Sequence, residues 1–313
     1  MIVAVTGINS GLGKSLVPKL QTDSFIEKII GIDVADYTGS PDKIEFFKVD
    51  VRDKAGLDRA LKNVEVLVHL AFIVNPKKLP ELKTIYEINV KGSQNVFQAA
   101  AENSVKKIIH LSSQSVYGHL KGCLSIVSEE APRLGIKTTN FYYAHTKALV
   151  EEYLDEFEHL YPAITVIRFR PPIISGPHFI QKRGLFTAKN KKRIYTIFPE
   201  TADNIASLQF IHEEDLTDLL LSAIKRELRG AYNVSGTILR DYSKFMNQEY
   251  GVKITKIPRF LAKLAVRFGR IWPKLRWAQA ILYNSLLDTT KIERELGWKP
   301  KYTTEECIRE INR

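Results

Sequence analysis

The chain has 313 residues, 44% of them hydrophobic and 26% charged, with a formal net charge of +11. That length and balance suit a folded protein with a sizeable core, in one large domain or two coupled ones, and exclude a disordered or low-complexity chain. No apolar run approaches the roughly 18 residues of a membrane span, and the two cysteines, Cys123 and Cys307, lack metal-ligand spacing, as expected of a reduced cytoplasmic protein.

In chain order, strands are predicted at Ile2–Thr6, Lys28–Ile32, Ile44–Val49, Val64–Leu70, Lys107–Ser112 and Ala163–Arg168. Helical periodicity falls between them, at Lys14–Leu20, Lys54–Leu61, Lys83–Asn103 and Tyr143–Leu160. Continuous β-branched strands are buried on both faces, so the pattern predicts an α/β fold with a doubly wound parallel sheet of Rossmann type. The first strand begins at the second residue, which leaves no room for a signal peptide. After Arg170 the alternation breaks at Pro171-Pro172 and Gly176-Pro177. A helix at Asp215–Lys225 and a strand at Ala231–Val234 are expected to rejoin the sheet. The tail carries an amphipathic helix, Arg259–Ile271, and a last one near Thr304–Ile311. The expected division is a nucleotide-binding domain over 1–170, completed by about 206–235, and a small substrate-binding domain from 171–205 and 236–313.

Excess basicity is confined to the C-terminal half. Residues 159–199 and 250–287 each contribute +8 without a single acid, leaving −5 for the remainder. Such a surface can hold an anionic substrate, or the Arg259–Arg276 stretch can lie on an anionic membrane and meet a lipidic one. It can equally be a solvated basic rim around an apolar face that packs on the core. No nucleic-acid recognition motif accompanies the charge, so no nucleic-acid partner is expected.

Between the first strand and helix runs Thr6-Gly7-Ile8-Asn9-Ser10-Gly11-Leu12-Gly13. Glycines in such a loop allow a tight turn and close approach of backbone to a pyrophosphate, which the helix N-terminus then stabilises. Asp33 closes the second strand, where a carboxylate accepts from ribose hydroxyls and repels a 2′-phosphate, predicting NAD rather than NADP. Tyr143 and Lys147 are one helical turn apart, so their side chains share a face. An adjacent ammonium is expected to lower the phenol pKa and fit the tyrosine to proton transfer.

These features, with Asp50-Val51, His69-Leu70-Ala71, Ile88-Asn89-Val90-Lys91-Gly92, Leu111-Ser112-Ser113-Gln114-Ser115-Val116-Tyr117-Gly118, Phe210-Ile211-His212 and Leu296-Gly297-Trp298, resemble the extended short-chain dehydrogenase/reductase family, the NAD-dependent epimerase/dehydratase group. The resemblance implies a catalytic set of Ser113, Tyr143 and Lys147, with hydride moving to or from NAD. It also implies cofactor contacts from Gly7, Asn9, Ser10, Gly11, Leu12, Gly13, Asp33, Asp50, Val51, Leu70, Ala71, Asn89, Ser112, Tyr143, Lys147 and Pro171. Pairing of the two long helices into a homodimer is expected from the family, and no metal is.

Four departures narrow this expectation. The glycine spacing follows the family's shorter, single-domain branch, with Ser10 where the extended branch has its middle glycine. Gln114 and Ser115 stand where sugar-nucleotide 4,6-dehydratases carry an acid pair, which argues against dehydration. Ile173 replaces an asparagine, and Leu208 an arginine, that resemble sugar-nucleotide contacts in the family. The expectation is therefore an NAD-dependent oxidoreductase or epimerase acting on a secondary alcohol of unassigned identity. A nucleoside-diphosphate-sugar 4-epimerase is the alternative, and a non-catalytic NAD-sensing or membrane-surface protein the alternative of another class.

Overall fold

The computed structural model describes residues 1–74, 82–120, 126–138, 141–179, 186–188, 191–197, 206–268, 275 and 277–313. The elements, in chain order, are β1 (Ile2–Thr6), α1 (Gly11–Thr22), β2 (Lys28–Asp33), β3 (Ile44–Lys48), α2 (Lys54–Ala60), β4 (Val66–His69), α3 (Leu82–Tyr86), α4 (Ser93–Glu102), β5 (Lys107–Leu111), β6 (Ile126–Val127) and α5 (Tyr142–Leu160). There follow β7 (Thr165–Arg170), β8 (Ile173–Ser175), β9 (Arg193–Thr196), β10 (Phe210–His212), α6 (Glu213–Lys225), β11 (Gly230–Asn233), α7 (Tyr242–Tyr250), β12 (Lys253–Lys256), α8 (Arg259–Phe268), α9 (Trp277–Leu282), β13 (Leu286–Leu287), α10 (Thr290–Leu296) and α11 (Thr304–Ile311).

Seven strands form one parallel sheet in the order β3-β2-β1-β4-β5-β7-β11. Alternate residues of each strand feed opposite layers, because side chains leave a strand with a period of two. Val3, Val5, Ile109 and Phe169 pack with Leu12 and Leu16 of α1 and Leu216 and Leu220 of α6. Ala4, Leu67, Ile108 and Val166 pack on the other face with Leu57 of α2, Phe97 of α4 and Leu154 of α5. The chain reverses direction across the sheet between β1 and β4, which opens a crevice at their C-terminal ends. Open α/β sheets hold their ligands in that crevice.

Several elements depart from the sequence expectation. The Lys83–Asn103 helix is not continuous: Glu87–Gly92 form a π-turn between α3 and α4. The predicted Ala163–Arg168 strand is shifted, running over Thr165–Arg170. The stretch after Arg170 contains β8 and β9, which pair in parallel with β10 and β12. Strands of two to four residues paired far along the chain leave too short a period to detect. These parts share a core of Phe210, Met246, Val252 and Ile308, distinct from the two sheet layers. The Arg259–Ile271 helix is seen as Arg259–Phe268, its last predicted residues lying outside the described ones. Among the described residues no helix is long and apolar enough to cross a membrane.

Candidate active site

The glycine loop sits at the crevice. Gly7 has φ +71°, and a Cβ there would lie 2.8 Å from the Ala71 nitrogen; a Cβ on Gly13 would lie 2.3 Å from the Ile8 carbonyl oxygen. Both positions therefore demand glycine. Ser10 caps α1, its hydroxyl accepting from the Gly13 N–H at 3.1 Å. The first-turn N–H groups of Gly11 and Leu12 have no intrahelical acceptor and stand at the positive end of the helix dipole. Asp33 is held at the end of β2, one oxygen taking the Asn9 N–H at 3.0 Å and the other the Ala35 N–H at 3.2 Å. Asp50 instead pairs with Arg52, Oδ2 to Nη2 at 2.6 Å, which keeps its carboxyl below the usual carboxylate range. Val51 is buried and packs over Gly92 of the π-turn.

A neutral histidine joins three of these parts. His69, at the end of β4, is fully buried, and burial beside the Lys147 charge pushes its pKa down to about 3. Its Nδ1 lies 2.7 Å from the Thr6 hydroxyl and its Nε2 2.9 Å from the Ser93 hydroxyl, which donates onward to the Asn89 carbonyl at 2.6 Å. Since Ser93 spends its proton on Asn89, His69 must donate from Nε2 and accept at Nδ1. The Asn89 side chain clasps Ile73 from both sides, accepting its N–H and donating to its carbonyl at 2.8 Å each. The chain just after β4, including Leu70, Ala71 and Phe72, is thereby fixed.

Across the crevice, Ser113 follows β5 and Tyr143 and Lys147 project from the first turns of α5. The Ser113 hydroxyl is near enough to the Tyr143 phenol to lower its pKa. The Lys147 ammonium donates to the Leu111 carbonyl at 2.6 Å and lies 3.6 Å from the centre of the Phe72 ring, which meets Tyr143 edge-on. Burial lowers the Lys147 pKa to about 7, opposed by the charge of Glu151. The expected lowering of the Tyr143 pKa by Lys147 is not what the geometry gives. Burial pushes the phenol up, and the nearby Ser113 hydroxyl, not Lys147, offsets it in part. The ammonium is turned to Leu111 and Phe72 and is itself close to losing its charge.

Sequence reasoning missed the support behind this set. Glu151 is fully buried one turn beyond Lys147, where it accepts from the Ser112 hydroxyl and from Arg170, Nε to Oε1 at 2.9 Å. The Arg170 guanidinium holds the carboxyl down at about 2 against the opposing effect of burial. Arg170 also reaches the Tyr117 hydroxyl at 2.9 Å and the Glu129 carbonyl at 3.1 Å. A signal was present: Tyr143, Lys147 and Glu151 form an i, i+4, i+8 ladder, and a carboxylate on a helix's buried face needs a partner. Pro171, directly after Arg170, accepts the Gln114 N–H at 2.9 Å. The Gln114 side chain donates to Asn284 and Ser285, and the Ser115 hydroxyl lies 3.2 Å from His119 Nε2. Ile173 and Leu208 both pack against the small apolar core, with Leu208 bridged to Leu239.

The residues present fit a dinucleotide: a loop whose glycines allow close approach, a helix N-terminus for phosphates, and an anchored acid at the ribose position. A seven-stranded parallel Rossmann-type sheet with this loop defines a nucleotide-dependent α/β enzyme class. The chain belongs to the NAD dependent epimerase/dehydratase family, whose model matches residues 3–235. It is 24% identical over 318 residues to an uncharacterized protein of Mycobacterium tuberculosis, covering 98% of this chain and 82% of that one. It is also 24% identical over 321 residues to a UDP-glucose 4-epimerase of Vibrio cholerae, covering 98% and 93%. In fold it is similar to the UDP-Glc/GlcNAc 4-epimerase of Campylobacter jejuni, with a TM-score of 0.73, 18% identity and coverage of 99% and 97%.

Proposed function

We propose that the protein is an NAD-dependent oxidoreductase or epimerase that oxidises a secondary alcohol, transiently or with net turnover, through Ser113, Tyr143 and Lys147. The observation that carries this reading is that the Tyr143 phenol meets the Phe72 ring edge-on and the Lys147 ammonium lies 3.6 Å from the centre of the same ring, with Ser113 near enough to the phenol to lower its pKa. NAD, when bound, supplies the hydride acceptor. The N-terminus of α1 would hold its diphosphate, Asp33 the adenosine ribose, and Lys147 the nicotinamide ribose. Ser113 positions the reacting oxygen. Tyr143, which burial keeps protonated, hands its proton to the developing alkoxide in the reducing direction; in the oxidising direction it must first release that proton to solvent, and the phenolate then takes one from the hydroxyl.

Elimination of water needs an acid and a base beside the sugar ring. Gln114 and Ser115 offer neither, and their polar groups are engaged by Asn284, Ser285 and His119. Dehydration is accordingly not part of this proposal. A second reading, a nucleoside-diphosphate-sugar 4-epimerase, is favoured by the relatives that carry that name. The apolar Ile173 and Leu208 weigh against it. The two readings part experimentally. The purified protein is first checked for carried-over nicotinamide dinucleotide by absorbance and mass, where NADP would contradict the role given to Asp33. It is then incubated with UDP-glucose, and interconversion followed by NMR selects the second reading. Turnover of non-nucleotide secondary alcohols alone selects the first. Either activity surviving Tyr143→Phe unchanged would sink the site assignment.

A further inference from the structure

Helix α8 has its apolar face turned the wrong way for a core helix. Within Arg259–Phe268 only Ala262 is buried, whereas Phe260, Leu261, Leu264 and Phe268 are 69%, 44%, 46% and 38% exposed. At 3.6 residues per turn these four fall in a single arc of about 100°. Arg259, Lys263 and Arg267, spaced four apart, form the adjoining arc beside Phe260. Isolated exposed apolar residues are ordinary, but four large ones on one face with a cationic border form a patch.

The surroundings say what would cover it. The stretch 250–287 has eight cations and no acid, and Lys253 and Lys256 of β12 lead directly into α8. A face of this kind complements a surface with negative charge outside and hydrocarbon beneath, which is the make-up of an anionic lipid bilayer. We propose that α8 docks the protein on an anionic membrane surface. Phe260, Leu261, Leu264 and Phe268 enter the boundary between headgroups and acyl chains, and Lys263 and Arg267 lie among the lipid phosphates. The contact is not remote from the chemistry. Helix α8 packs on α9, and Gln279 of α9 donates to the His119 carbonyl at 2.8 Å, at the end of the loop that begins with Ser113. The proposal stands independently of which alcohol is the substrate.

The test is co-sedimentation of the full-length protein with phosphatidylcholine vesicles, with and without phosphatidylglycerol, across a salt series. Partition onto the anionic vesicles is expected to exceed that onto the neutral ones by about tenfold or more and to weaken with salt. Phe260→Ser and Leu264→Gln should each lower it by about tenfold, with unchanged melting temperature because both side chains lie outside the core. Lys263→Glu/Arg267→Glu should remove the preference for anionic vesicles. No partition onto phosphatidylglycerol at low salt overturns the proposal, as does partition indifferent to Phe260→Ser and Leu264→Gln. Light scattering covers the remaining case: a self-associated protein that these substitutions dissociate, with no vesicle binding, would assign the face to a second copy of the chain and overturn the membrane assignment.

Discussion

Lys147 and Glu151, one turn apart, carry opposite consequences for stability. The folded pKa of Lys147 lies at about 7 against an ordinary 10.5, so the charged form is disfavoured by folding. Between those values the unfolded chain binds more protons, and stability rises with pH. Lys147→Met should therefore stabilise the protein at pH 6, by an amount on the order of a few kcal/mol, and far less at pH 10. Denaturant midpoints at the two pH values measure this, and a gain that is equal at both would contradict it. Glu151 behaves oppositely. Its carboxyl is held near 2 against an ordinary 4.5, so its stabilising contribution is complete above about 4.5 and disappears as pH falls toward 2. Removing one member of a buried pair leaves a bare charge, and Glu151→Ala should cost about 3–5 kcal/mol, read as a lowered melting temperature at neutral pH. If Asp33 holds the adenosine ribose as proposed, Asp33→Ala should weaken NAD binding about 10- to 100-fold by calorimetry, leaving the fold intact. The spacing of Tyr143 and Lys147 was legible in the sequence. Their electrostatics were not, because helical spacing puts two side chains on one face without saying that Phe72 and the Leu111 carbonyl would claim the ammonium.

The glycine loop shows an element read correctly for a reason visible in the sequence: a strand, a Gly-rich turn and a helix in succession. Gly7→Ala would drive a Cβ to 2.8 Å from the Ala71 nitrogen, a clash, in a left-handed backbone conformation. It should cost at least about 1 kcal/mol and abolish NAD-dependent thermal stabilisation, which a differential scan with and without NAD detects. Shift of that scan by NAD in Gly7→Ala to the same extent as in the parent would refute the loop's role. The buried sheet strands were equally legible, since runs such as Ile2–Thr6 and Lys107–Leu111 are apolar on both faces. The π-turn was not, because Glu87–Gly92 keep an ordinary helical composition and the extra residue is revealed only by its hydrogen bonds.

Across the whole molecule, the sheet and its two layers follow from local periodicity, and the small C-terminal core does not. Its strands β8, β9, β10 and β12 are three or four residues long, and each finds its partner 20 or more residues away. The polar belt that seats Gln279, Asn284 and Ser285 against the loop from Ser113 to His119 also depends on tertiary contact alone. The uneven charge was evident from composition, but not that α8 would leave its apolar side outward. That orientation depends on which face Ala262 offers to the interior.

The π-turn at Glu87–Gly92 also makes the site sensitive to the length of the chain there. A π-turn is an α-helix with one residue added, and here the added residue rotates the start of the helix so that Asn89 faces Ile73 and its carbonyl faces Ser93. Excising a single residue from that turn would restore a regular helix and swing Asn89 by about 100°, away from its clasp. Loss of one residue there should thus release the chain that follows β4 from its brace while α4 and the sheet keep their packing.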